Sequence, residues 1–234
     1  MSSLVNTKFA EWTCDLDTRE SMISIFGHIR DIPYSLGMPT YGFMTAAESL
    51  LASGRGSCGP KHHLLAEMYR KLNLNVIFAT FDFSWNDPDI RYPNALRNIA
   101  ARLPVSHHLA CRVQIGCRWV LMDATWDPSL EKAGFPVNRE WDGYSDTQCA
   151  VRPVPSAVRT AYCRTATNEP CRSKEEASLC PLDEEKDHWN AESRAAYYAK
   201  KISLLTPEER NLTSVFYREL DAWMEILRQE SSPW

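Results

Sequence analysis

No stretch of the chain approaches the roughly 18 consecutive apolar residues that a membrane-spanning helix needs. The opening segment, Met1 to Trp12, has neither a basic flank nor a long apolar core, so it does not read as a signal peptide. A cytoplasmic protein without a membrane partner is the expectation. Positive charge is also short: 26 Lys and Arg stand against 30 Asp and Glu, giving a net charge of −4 and a pI near 5.9. That balance excludes the broad basic surface of a nucleic-acid binder. Eight cysteines are present, yet none forms Cys-x-x-Cys, so a structural zinc knuckle is disfavoured. Without an export signal, reduced thiols are expected. His62 and His63 are adjacent on a predicted helix, where neighbours diverge by about 100°. No His-Glu-x-x-His accompanies them, so packed or solvated histidines are expected, with no metal and no cofactor. Internal repeats are lacking as well.

What remains suits one domain, or one domain with an appendage: 234 residues, 44% hydrophobic and 24% charged. Met22, Ile25, Phe26 and Ile29 predict a helix over residues 18–30, and Thr45 to Ala52 a shorter one. A third helix starts at Cys58 and runs to about Asn73. Val76 to Phe81 reads as a buried strand. A turn at Asn86-Asp87-Pro88-Asp89 and a polar connection fill residues 84–102. Two strands follow, about His108 to Ile115 and Trp119 to Thr125, meeting at Gly116. Residues 127–155 look irregular, and a connection that long is more often functional than idle. Residues 163–187 form a polar linker candidate. Thr206-Pro207-Glu208-Glu209 is a capping box. It opens a helix whose apolar face is read as Leu212, Val215, Phe216, Trp223, Ile226 and Leu227. The expected division is a core over residues 1–160, then a linker and C-terminal helices over 161–234 packed on it. Oligomeric state is left open.

The chemistry gathers at Gly54-Arg55-Gly56-Ser57-Cys58-Gly59-Pro60. A glycine-rich turn hands a cysteine to the first turn of a helix, whose partial positive charge favours an anion. Such a setting draws a thiol from about 8.5 toward neutrality. Pro60 suits an early helical position, where its missing N–H is harmless. Taken alone, a buried cysteine is ordinarily a small hydrophobe. The hairpin after it adds partners, because side chains alternate faces along a strand. A turn centred on Ile115-Gly116 sets His108 directly across from Asp123. A turn at Gly116-Cys117, with glycine first as type II′ prefers, makes them diagonal neighbours. Either register leaves their Cβ atoms roughly 5 to 8 Å apart on one face. His107 would point the other way, although a three-residue loop would reverse the choice.

Gly56-Ser57-Cys58, His108 with Val113, and Trp119-Val120-Leu121-Met122-Asp123-Ala124-Thr125 together resemble the transglutaminase-like superfamily, over roughly residues 20–130. Tyr34, in Asp31-Ile32-Pro33-Tyr34, resembles the extended segment that precedes the nucleophile helix there. Ala110 departs from the aromatic usual two positions after the histidine, and Ala124 from the common proline. Arg55-Gly56-Ser57-Cys58 is only partly like the arylamine acetyltransferase motif. The resemblance implies an α+β, papain-like core with the cysteine helix packed on an antiparallel sheet. It also implies a Cys58, His108, Asp123 triad acting on an amide or ester of a small molecule or peptide. Backbone N–H groups near Cys58, with Tyr34 or Tyr41, are oxyanion-hole candidates. Trp126 and Trp141 are candidate substrate-side walls. A binding or scaffold protein with an idle triad, and a redox or metal protein built on the cysteines, are the competing readings.

Overall fold

Helix boundaries follow local chemistry closely. In the computed structural model, which describes residues 4–37, 44–154, 187–188 and 190–230, α1 spans Leu4–Thr13 and α2 spans Thr18–Asp31. Asp17 caps α2 by accepting from the Glu20 N–H, while the Glu20 carboxylate accepts from the Asp17 N–H. Thr45 and Glu48 repeat that box at α3 (Ala46–Ser53). Gly54 then ends α3 in the left-handed region, at φ 65°. Four residues later α4 (Cys58–Lys71) begins.

Among the described residues, four strands form one antiparallel sheet in the order β3-β2-β1-β4: β1 Val76–Phe83, β2 Ser106–Ile115, β3 Arg118–Met122 and β4 Asp187–His188. Helix α4 packs on β1 and β2, burying Leu64, Leu65 and Met68 in one cluster with Phe78, Cys111 and Val113. Helices combined with an antiparallel sheet are what the sequence led us to expect at this coarse level. The hairpin closes through Gly116-Cys117, with Ile115 paired to Arg118. Gly116 takes φ 61° and Cys117 stays at negative φ, as a type II′ turn requires. Of the two registers anticipated, this is the diagonal one.

Some elements differ from expectation. Residues 84–102 contain a helix, α5 (Asn94–Ala100), too short to show periodicity and burying only Leu96 and Ala100. The 127–155 connection holds a 3₁₀ helix, Pro128–Ala133, stopped by Gly134 at φ 92°. A Cβ there would lie 2.1 Å from the Asp89 carbonyl oxygen, so only glycine fits. Beyond the sheet come α6 (Ala191–Ser203) and α7 (Pro207–Gln229), the latter opened by the Thr206 capping box. The buried stripe of α7 is Phe216, Leu220, Met224 and Leu227. Ile226 is 53% exposed, because it sits off the i, i+4, i+8 row that meets the core. Most of the linker candidate over 163–187 lies outside the described residues.

Candidate active site

The cysteine is delivered by a strapped turn. Gly56 pairs with Tyr34 in a parallel bridge: its N–H donates to the Pro33 carbonyl at 3.0 Å, and its carbonyl accepts from the Ser35 N–H at 3.2 Å. Ser57 occupies the N-cap of α4 without turning its hydroxyl onto the first turn. The N–H groups of Cys58 and Gly59 are therefore left uncapped by it, facing the end of the helix where negative charge is favoured.

Cys58, His108 and Asp123 come together. The His108 Nε2–H donates to Asp123 Oδ2 at 2.7 Å, which leaves Nδ1 for the hydrogen bond with Cys58. Asp123 is held from several sides at once. Its Oδ2 also accepts from the Ala150 N–H (2.8 Å), and its Oδ1 from the Thr125 hydroxyl (2.6 Å) and N–H (3.3 Å). The Asp123 N–H donates to the Thr147 hydroxyl at 2.8 Å, fixing the backbone beneath the carboxylate. His107 turns elsewhere and bonds Asp82 Oδ1 at 2.7 Å, as alternation along β2 dictates.

Electrostatics follow from these contacts. Burial would raise the Cys58 thiol, but the hydrogen bond and charge of His108, with the Leu109 N–H and Arg194, outweigh it and the pKa is lowered. Burial would lower His108, yet the charge and hydrogen bond of Asp123, then Cys58, push it up to about 10. Asp123 is buried too, and His108 nevertheless holds its carboxyl well below the usual range. These opposed shifts favour moving the proton from the Cys58 thiol toward His108, whose imidazole Asp123 braces.

His62 plays a part its sequence context did not reveal. Its Nδ1–H donates to the Cys58 carbonyl at 2.8 Å, and its Nε2 accepts from the Ala124 N–H at 3.1 Å. Only the neutral Nδ1–H tautomer makes both bonds, and burial agrees by lowering its pKa to about 4. His62 thereby ties the first turn of α4 to the chain just past Asp123.

Above the triad lies a cavity of about 490 Å³. Tyr34 and Trp126 line it, their rings packed at 4.4 Å between centroids. Trp141 lies elsewhere: its ring packs on Phe26 at 5.6 Å in the cluster beneath α4, and its indole N–H donates to the Ser145 carbonyl. A tryptophan in a loop fills a core as readily as it walls a pocket, and this one fills the core. Tyr41 lies outside the described residues. The Tyr34 loop is clamped by α7. Asp221 accepts from the Ser35 hydroxyl (2.9 Å) and from the N–H groups of Leu36 (2.9 Å) and Gly37 (2.7 Å). Arg228 Nη2 donates to the Tyr34 carbonyl (2.7 Å) and to Asp127 Oδ2 (2.8 Å).

Among the described residues, His108, Asp123 and Cys149 present donor atoms within 4.8 Å of one another, a spacing a metal ion could use. The His108–Asp123 bond already fills the space between two of them. Burial and the Asp123 charge raise the Cys149 thiol to about 12, so it keeps its proton. The donor chemistry therefore fits a hydrogen-bonded cluster better than a cation site.

No family model matches the chain, and no curated protein does. Among solved structures, one from Cytophaga hutchinsonii, described as a "putative cysteine protease", matches at 19% identity and a TM-score of 0.37. The match covers 52% of this chain and 36% of that one, so the chain spans just over a third of that protein's length. Likeness at that level assigns no activity here. Among the described residues, no helix is long and apolar enough to cross a membrane.

Proposed function

We propose that the protein is a cysteine-dependent acyl-transfer enzyme of the transglutaminase-like kind, acting on an amide or ester through a thioester. The observation that carries this reading is the Cys58–His108–Asp123 chain, in which the thiol is pulled down and the imidazole pushed up. The Cys58 thiolate attacks the carbonyl carbon, an S–C bond forms, and the π pair moves to oxygen. The N–H of Cys58 is the natural first donor to that oxyanion, with Gly59 beside it; Tyr34 on the cavity wall is a candidate second. Collapse expels the amine or alcohol, which leaves with the proton carried by His108. Water or an acceptor amine then gives a proton to His108, attacks the thioester and restores the thiolate. Asp123 holds the imidazole in the tautomer that presents Nδ1 to sulfur. Trp126 and Tyr34 form the apolar wall against which the acyl group lies.

The test uses p-nitrophenyl acetate, an activated ester small enough for the cavity. Intact-mass analysis after rapid acid quench is expected to show one added acetyl group, mapped to Cys58 and missing in Cys58→Ala. Acetylation spread over several residues, or equal in Cys58→Ala, would contradict the assignment.

A further inference from the structure

Helix α6 sets Arg194, Tyr198 and Ile202 along one wall of the cavity, one residue per turn. Arg194 is only 8% exposed, and its guanidinium lies over the Tyr198 ring, 4.8 Å from the centroid. Its Nε is buried with no hydrogen-bond partner. Lys201 and two of the histidines at the cavity do have carboxylates. His107 and Lys201 converge on Asp82, at 2.7 and 3.7 Å, and His108 has Asp123. Among the described residues, Arg194 forms no ion pair and no aspartate or glutamate lines the cavity. A guanidinium withdrawn from water without a counter-charge is strongly unfavourable. The arrangement becomes favourable when a ligand brings the missing anion, because the planar fork matches a carboxylate.

We infer that Arg194 is a carboxylate anchor, and that the substrate is an amide or ester carrying a carboxylate close to its scissile carbonyl. This rests on Cys58 being the nucleophile at the same cavity. Arg194 and Cys58 line the same cavity and lie within range of each other's charge, so one ligand can meet the anchor and the nucleophile together. The Tyr198 face holds the guanidinium plane while the carboxylate docks edge-on. A neutral substrate of the same size would leave the guanidinium without a counter-charge and gain nothing from the site.

Two alkylating reagents of nearly equal size test this without knowledge of the substrate. Iodoacetate carries a carboxylate and iodoacetamide does not; both form an S–C bond and release iodide. Rates at Cys58 are read by peptide mass analysis in the parent protein, Arg194→Gln and Arg194→Lys. The iodoacetate-to-iodoacetamide ratio is expected to fall roughly tenfold in Arg194→Gln, the size of one charge-assisted pair. Arg194→Lys keeps part of the preference, because it retains charge but not the fork. In the unaltered protein, glutarate protects Cys58 from iodoacetamide and glutaramide does not, a readout that survives if a variant fails to fold. If both rates fall together in Arg194→Gln with the ratio unchanged, Arg194 acts on the thiolate and the anchor is refuted. Failure of glutarate to protect Cys58 refutes the anchor as well. Slow labelling of Cys58 by both reagents in the parent instead brings down the nucleophile assignment, and the anchor with it.

Discussion

Cys58, Cys111 and Cys149 carry one functional group, and their surroundings drive it in opposite directions. Cys111 is enclosed in the core with its thiol donating to the His62 carbonyl at 3.4 Å, and burial pushes its pKa well above the ordinary value. Cys149 is raised to about 12 for the same reason, aided by the Asp123 charge. Only Cys58 of these three hydrogen-bonds His108, and that bond with the imidazole's charge overcomes the burial. Asp123 favours that charge. In Asp123→Asn the charge that raises His108 disappears, so His108 loses its proton at lower pH and the thiolate loses its partner. The pH midpoint for Cys58 alkylation is expected to rise toward about 8.5, the value of an ordinary thiol. Turnover of an activated ester is expected to fall by about 10²-fold or more. A midpoint unchanged from the parent would show that Asp123 only packs.

At the scale of elements, α4 does more than present the nucleophile. One turn past Cys58, Lys61 is fully buried. Its ammonium donates to the carbonyls of Arg30 (3.0 Å), Ile32 (2.8 Å) and Thr125 (2.7 Å). These three acceptors belong to the end of α2, the Tyr34 loop and the chain past Asp123, so one side chain gathers three pieces of the site. Burial lowers its pKa to about 7 against the pull of Asp127 and Asp123. Lys61→Met keeps the volume and strands three carbonyls, so it is expected to lower unfolding stability by about 3 kcal/mol. Urea denaturation checks this through a reduced midpoint at constant slope. A change within about 0.5 kcal/mol, as on an ordinary surface site, would contradict the role. Helix α7 contributes in a parallel way: through Asp221 and Arg228 it holds the Tyr34 loop against the cysteine turn. A C-terminal helix that fills a core with Phe216 and Leu220 also shapes the site from behind.

Over the whole molecule, what was readable in sequence shares one property: it is local. Glycine and proline around Cys58, apolar periodicity in α2, the Thr206 capping box and strand parity from His108 to Asp123 each act within about one element and its neighbour. The decisive contacts that were not readable are distant. Asp221 meets residues some 185 positions earlier, and Arg228 meets Asp127 across 101. His62 showed no motif because its role depends on Ala124 arriving beside it. Arg194 stands in a polar helix that resembles any solvated one until the cavity forms beneath it. Trp141 and Trp126 have similar loop settings in sequence, and only the packing sends one to Phe26 and the other to Tyr34.

Iodoacetamide labelling followed cysteine by cysteine, from about pH 5 to about pH 10, tests the thiolate–imidazolium pair most directly. Cys58 is expected to label with a midpoint below that of an ordinary thiol, while Cys111 and Cys149 stay unreactive across the range. His108→Ala is expected to remove the shift. Labelling of Cys58 with an ordinary midpoint in both proteins, or in step with the other two thiols, would contradict a nucleophile at this position.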